Sequence, residues 1–288
     1  MQNSARINFL KIGKKGEKMT GGRLTLADFQ SISKKRKIVS LTAYTAPVAA
    51  ALDPYCDLLL VGDSVAMVLY GMQSTQGANI EMMVRHGKAV VSHSSNAMVV
   101  VDLPYGTYEH SEELAVKSAK EIIKKTGACG VKLEGGMAIE PQIKSITSAG
   151  IPVLGHIGLL PQKFTNTSEF RITGRDEIEA DQLQKDLEAV TTAGAFGVVL
   201  EGIIEPVARQ LSINARIPLI GIGASVSCHG QILVTDDLIG LYADFTPKFV
   251  KKYANVQDII QKAAQAYSAD VISQKFPDKS HCFWPDKK

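Results

Sequence analysis

The 288-residue chain has no apolar run approaching the roughly 20 residues that a membrane-spanning helix requires. Residues 1–20 are basic but lack the apolar stretch of a secretory signal. Charge of one sign is also scarce. With 32 Lys and Arg against 29 Asp and Glu, the net charge is only +3, which argues against nucleic acid or an anionic membrane as the main partner. The basic runs, KKGEK and the KKRK of Lys34–Lys37, carry no interleaved aromatics. They read as a solvated arm and a positive helix end. Cys56, Cys129, Cys228 and Cys282 form no C-x-x-C pair, so neither a structural zinc site nor a thioredoxin-type motif is expected, and a reducing compartment is. A dinucleotide fingerprint is missing as well: GIGASV lacks the third glycine and comes late in the chain. The expectation is a cytoplasmic protein whose residues 1–20 form a mobile basic extension, with Met19 as an alternative start.

What the chain does have is short β-branched runs. KIVSLTAY, DLLLVGDS, MVVVDLP, GVKLEGG, PVLGHIG, FGVVLEG, PLIGIGA and QILVTDD follow one another in order. Each holds about four apolar residues with little alternation, the pattern of parallel strands buried on both faces. Capped amphipathic segments separate most of them. Ser111 precedes Glu112 and Glu113, Lys124 and Lys125 fall in a last turn, and Gly127 sits where a left-handed terminator belongs. Asp176 and Glu179 have capping-box spacing, and Gly194 ends that segment. Recurring strand and helix imply one parallel sheet, and eight strands close most economically as a (β/α)8 TIM barrel. A doubly wound open sheet is the alternative. Residues 21–288 are therefore expected to form a single catalytic barrel domain. LTLADFQSISKK is predicted as a helix plugging the barrel floor, and KFVKKYANVQDIIQKAAQAY as one or two extra C-terminal helices. The stretch from Ser225 to Gly230 is too short for a helix between the last two strands.

A barrel of this kind builds its active site at the C-terminal ends of its strands. Polar residues cluster there: Asp63 and Ser64, Asp102, Lys132 and Glu134, His156, and Glu201. Each has a bland use. Asp63 and Ser64 could cap the next helix, Asp102 could be a turn residue, Lys132 and Glu134 an interior ion pair, and His156 a hydrogen-bonded core histidine. Glu201, ending an apolar run, is costly to bury without a partner or a role. Taken together, the clustering is unexplained by these uses. Two aspartates from adjacent strands, with Glu134 behind them and no His or Cys beside them, suit a hard cation with open positions, magnesium before zinc. Such a cation is suited to chelating an α-keto acid and stabilising its enolate, with Lys132 on the carboxylate and Glu201 or His156 taking the proton.

VGDS, VVDLPYGTY, VKLEGG, GHIGLLPQ, VVLEG and GIGA, in this order, resemble the ketopantoate hydroxymethyltransferase family. LTAYTAP, FRITGR and FPDKSHCF extend the resemblance from Leu24 to Phe283. It implies transfer of a hydroxymethyl group from 5,10-methylenetetrahydrofolate to 3-methyl-2-oxobutanoate, giving 2-dehydropantoate for pantothenate and coenzyme A. By the same resemblance Asp63 and Asp102 ligate magnesium and Glu134 acts on it through water. Ser64 and Lys132, together with Asp63 and Asp102, hold the keto acid; Glu201 is the base, with His156 beside it. A homodecamer is implied too. The chain departs from the pattern at Ser225, a glycine position, and at His229, where an aspartate is usual; Gly202 and Leu160 replace a cysteine and a threonine. Were residue 225 to need a positive φ, serine would strain that turn. A rival reading is a magnesium enzyme of the phosphoenolpyruvate mutase and isocitrate lyase type, although the lyases' K-K-C-G-H loop is missing. A non-catalytic scaffold barrel is the other.

Overall fold

The computed structural model describes residues 22–242 and 246–285; the basic extension expected over residues 1–20 lies outside them. Eight parallel strands close into a barrel in sequence order. They are β1 (Ile38–Thr42), β2 (Leu58–Val61), β3 (Met98–Asp102), β4 (Gly130–Lys132), β5 (Val153–Gly158), β6 (Gly197–Glu201), β7 (Leu219–Ile222) and β8 (Gly230–Leu233). The open-sheet alternative is thereby excluded. Helix α1 (Leu26–Lys35) precedes the barrel. Between the strands lie α2 (Ala46–Leu52), α3 (Val65–Val68), α4 (Ile80–Ser92), α5 (Glu112–Thr126), α6 (Glu140–Ser148), α7 (Glu177–Thr192) and α8 (Glu205–Asn214). No helix separates β7 from β8, as the short interval foretold. The chain divides into two units, the barrel up to Leu233 and a second from Val234 onward that carries α9 (Thr235–Leu238) and α10 (Val256–Ile272). No helix among the described residues is long and apolar enough to cross a membrane.

Side chains alternate across each strand, so the barrel has two cores. Outward residues such as Leu59, Val61, Val99, Val101, Val131, Val198 and Leu200 pack with the helices in the larger cluster. Inward residues Ile38, Leu58, Leu60, Met98, Val100, Leu154, Val199, Ile220 and Ile232 fill the interior together with Phe29 of α1. Phe29 is fully buried and meets Phe196 edge-on at 5.5 Å between ring centroids. The N-terminal helix therefore plugs the barrel, as expected of LTLADFQSISKK. Asp102, Lys132, His156 and Glu201 have the same strand parity as these interior residues, which puts them inside the barrel above its apolar filling.

The caps follow the sequence signals. Ser111 accepts the Leu114 N–H, and Gly127 ends α5 at φ 75°, ψ 20°, a conformation that costs glycine little. Asp176 accepts the Glu179 N–H at 2.8 Å, but only half of the expected box forms. Glu179 turns instead to the Arg175 N–H at 2.9 Å and to the Arg171 guanidinium.

Before β3 the chain turns around the carboxylate of Asp53, which accepts backbone N–H groups of Ser95 (2.8 Å), Asn96 (3.1 Å) and Ala97 (2.9 Å). Asp53 is buried, and its loss removes the acceptor of all three donors, of which Ala97 is itself buried. Asp53→Ala is expected to cost about 3 kcal/mol or more, lowering the melting temperature by about 6–12 °C. A differential scanning calorimetry shift under about 2 °C would show that the turn does not depend on this carboxylate.

Candidate active site

The site begins with strand register. Parallel pairing sets Asp102 opposite Lys132, Lys132 opposite Leu154 and His156 opposite Val199. Neighbouring inward side chains at the strand ends must then touch. Lys132 Nζ lies 3.2 Å from Asp102 Oδ2 and 3.2 Å from His156 Nδ1. Glu134 Oε1 is farther from Lys132, at 4.0 Å, and sits 3.4 Å from His156 Nδ1. The interior lysine therefore pairs most closely with Asp102 rather than with Glu134. On the other side of the ring, His156 Nε2 is 3.2 Å from Glu201 Oε2, within ion-pair range but without hydrogen-bond alignment. At the end of β5, Gly158 (φ 99°) lies so near the Glu201 carbonyl that a Cβ would sit 2.3 Å from it. Only glycine lets β5 and β6 approach this closely where the chain leaves the barrel.

Asp63 and Ser64 follow β2. The Asp63 N–H donates to Asp102 Oδ2 at 3.0 Å, which ties the two aspartates together. Ser64 starts α3 without a side-chain capping bond, and its hydroxyl lies 2.8 Å from the Tyr44 hydroxyl. Capping does not account for this residue. Asp102 is likewise no turn residue: it is buried, with Oδ1 lacking any hydrogen-bond partner among the described residues.

Burial shapes the charges. It raises Asp63 well above the ordinary carboxylate range, and the neighbouring Asp102 and Glu134 add to the effect. Burial also raises Asp102, against Lys132 and the Asp63 N–H. Glu134 ends below its ordinary value, because His156 and Lys132 outweigh the cost of burial. Lys132 stays firmly protonated: burial opposes its charge, but Asp102, Glu134 and Asp63 prevail. For His156, burial and Lys132 are overcome by Glu134 and Glu201, raising the ring to about 9. Glu201 stands apart in exposure, its side chain 18% accessible against 5% or less for Lys132, Asp102, Glu134 and His156. A group that meets an incoming substrate needs that access.

Two further residues enter the cluster that the sequence reading quoted in motifs but gave no role. Gln162, after β5, donates from Nε2 to Asp63 Oδ2 at 2.7 Å and from its backbone N–H to Glu134 Oε2 at 3.0 Å. The Tyr108 hydroxyl donates to Gln162 Oε1 at 2.6 Å and accepts the Glu134 N–H at 3.1 Å. Burial, then Glu134, push the Tyr108 phenol above its ordinary range, so it remains a donor. The available signal was a buried-sized polar pair, Tyr108 and Gln162, inside otherwise apolar motifs; its target residues were not legible.

The altered loop after β7 is not strained. Gln274 is the one non-glycine residue with positive φ among the described residues, so position 225 does not require glycine. The Ser225 hydroxyl donates to Glu205 Oε1 (3.0 Å) and accepts the Ser227 N–H (3.0 Å). His229 Nδ1 accepts the Leu219 N–H at 3.2 Å. Ser225→Gly is therefore expected to lower stability, by about 1–2 kcal/mol from lost hydrogen bonds and added chain entropy. A urea midpoint equal to or above that of the parent would contradict this.

Ionisable groups buried together at the C-terminal end of a closed parallel barrel mark a TIM-barrel enzyme. Which family it comes from is shown by comparison. Residues 23–279 match the family described as Ketopantoate hydroxymethyltransferase, and the chain belongs to that family of transferases. It is 52% identical over 266 residues to the 3-methyl-2-oxobutanoate hydroxymethyltransferase of Paramagnetospirillum magneticum, covering 92% of this chain and 97% of that one. The protein of the same name from Rhizobium rhizogenes is 48% identical, covering 92% and 97%. Among solved structures, a phosphonopyruvate hydrolase complexed with oxalate and Mg²⁺ superposes with a TM-score of 0.58 at 10% identity, over 90% of this chain and 93% of that one. That likeness is one of fold alone. Family membership sets aside both the mutase and lyase reading and the scaffold reading.

Proposed function

We propose that the chain transfers a hydroxymethyl group from 5,10-methylenetetrahydrofolate to 3-methyl-2-oxobutanoate in the cytoplasm, with magnesium as cofactor. In net terms the keto acid, the folate and water yield 2-dehydropantoate and tetrahydrofolate, on the route to pantothenate and coenzyme A. The observation that carries this reading is the buried Asp102 carboxylate, tied to Asp63, whose Oδ1 has no hydrogen-bond partner among the described residues.

The residues present fit magnesium. Among the described residues no three His, Cys, Asp or Glu side chains form a ready-made cage. Magnesium needs only one or two carboxylates, with water and substrate oxygens completing its shell. A carboxylate oxygen without a partner among the described residues, and an aspartate raised by burial and then by its acidic neighbours, are both suited to a bound positive charge. When bound by Asp63 and Asp102, with Glu134 reached through water, magnesium would supply the electrostatic stabilisation of the enolate oxygen.

The chain's own groups do the rest. Lys132 offers a permanent positive charge for the substrate carboxylate, and Ser64, braced by Tyr44, offers a hydroxyl. Glu201 takes the proton from C3, next to the keto group, with the His156 ring 3.2 Å from its carboxylate. Removal of that proton leaves C3 nucleophilic toward the folate-borne methylene carbon. A homodecamer belongs to the same proposal. It rests on the family resemblance, which implies a decamer or another large homo-oligomer.

The test supplies purified protein with the keto acid, 5,10-methylenetetrahydrofolate and Mg²⁺ and follows 2-dehydropantoate by mass spectrometry. Product that disappears with EDTA is expected. A folded protein that forms no product would overturn the assignment.

A further inference from the structure

The loop after β5 places one residue, Gln162, against both sides of the carboxylate cluster. Every polar group of this residue is engaged. Its backbone N–H reaches Glu134 Oε2, and its Nε2 reaches Asp63 Oδ2 and the Leu103 carbonyl (3.0 Å). Its Oε1 takes the Tyr108 hydroxyl, and its carbonyl accepts Gln76 Nε2 at 2.8 Å. A second bond, Ser74 Oγ to the Phe164 carbonyl at 2.7 Å, fastens the same loop to the one that follows β2.

The chemistry of the partners fixes which way the amide points. The Leu103 carbonyl can only accept, so the nitrogen must face it, and Asp63 lies on that same side. The oxygen must face a donor, and the Tyr108 hydroxyl provides one at 2.6 Å, shorter than its 3.0 Å approach to the Glu134 carbonyl that competes for the same proton. Tyr108 and Gln162 are both buried, so water cannot replace either partner. Asp63 Oδ2 is thereby held toward the amide, and its orientation is set from 99 positions away in sequence.

We infer that Gln162, locked by Tyr108, is a positioning residue that fixes the carboxylates of Asp63 and Glu134 for cation binding. The inference rests on the proposed cation site. In this role neither residue is itself a ligand of the cation. Each acts by denying the ligand carboxylates their alternative rotamers, and partners of this kind are worth about 10–100-fold in metal affinity.

The experiment titrates the full-length protein with Mn²⁺ alone and reads free Mn²⁺ by electron paramagnetic resonance, with no substrate and no assay of turnover. Gln162→Met keeps the length of the side chain and removes both donors to Asp63 and Leu103. It is expected to raise the Mn²⁺ dissociation constant about tenfold, or 1.4 kcal/mol. Tyr108→Phe, which leaves the buried amide oxygen without its donor and so loosens the side chain, is expected to raise it about threefold. The double variant should bind about as weakly as Gln162→Met alone, because both changes break one chain of contacts. Melting temperatures taken without metal separate a loss of fold from a loss of affinity. Parent-like affinity in Gln162→Met overturns the inference; if that variant does not fold, parent-like affinity in Tyr108→Phe does so. A parent protein that binds no Mn²⁺ overturns the cation site itself, and this inference with it.

Discussion

Glu201→Gln is expected to lose turnover by about 10²-fold or more, the contribution of a positioned base, while binding the keto acid within a few-fold of the parent. The substitution is isosteric and keeps an acceptor oxygen 3.2 Å from His156 Nε2. Glu201 also ends β6 at the partly exposed rim of the cluster, so little packing depends on it. Only the capacity to take a proton is lost. Steady-state kinetics should therefore show a fall in kcat with KM nearly unchanged. Near-parent turnover would remove Glu201 from the role of base.

Asp102→Asn is expected to be the more damaging change, lowering turnover by about 10³-fold as several kcal/mol of charge stabilisation disappear. Asparagine can still accept the Asp63 N–H, and Lys132 keeps Glu134 at 4.0 Å. The loss falls on the unpartnered Oδ1 position, where an amide N–H group or a neutral oxygen replaces a charged one. A readout independent of catalysis is available. Magnesium at 100 times its dissociation constant stabilises the parent by about 2.7 kcal/mol, a rise of about 5–10 °C in melting temperature. The variant should show no rise. Normal activity with normal metal dependence would remove Asp102 from the ligand set.

The barrel was legible because parallel strands buried on both faces leave unbroken β-branched runs, and because helix caps such as Ser111 and Gly127 act locally. The clustering of Asp63, Ser64, Asp102, Lys132, Glu134, His156 and Glu201 at one end of the barrel was expected from their positions at the C-terminal ends of the apolar runs. Their partners did not. That Lys132 sits nearer Asp102 than Glu134 depends on the register of β3 against β4, which no run of residues announces. Gln162 and Tyr108 were missed for the same reason: each reaches partners that lie far along the chain. Ser225 shows the opposite error. A serine in a glycine position looked like strain, yet the backbone keeps an ordinary φ and the hydroxyl makes two hydrogen bonds of its own.

The central claim is that Glu201 removes the C3 proton of 3-methyl-2-oxobutanoate with the help of a divalent cation. Proton NMR in D₂O, with Mg²⁺ and tetrahydrofolate both present, tests it most directly. The C3 proton signal is expected to fade in the parent, to persist with EDTA, and to persist in Glu201→Gln. A C3 signal that survives unchanged in the folded, metal-loaded parent would contradict it.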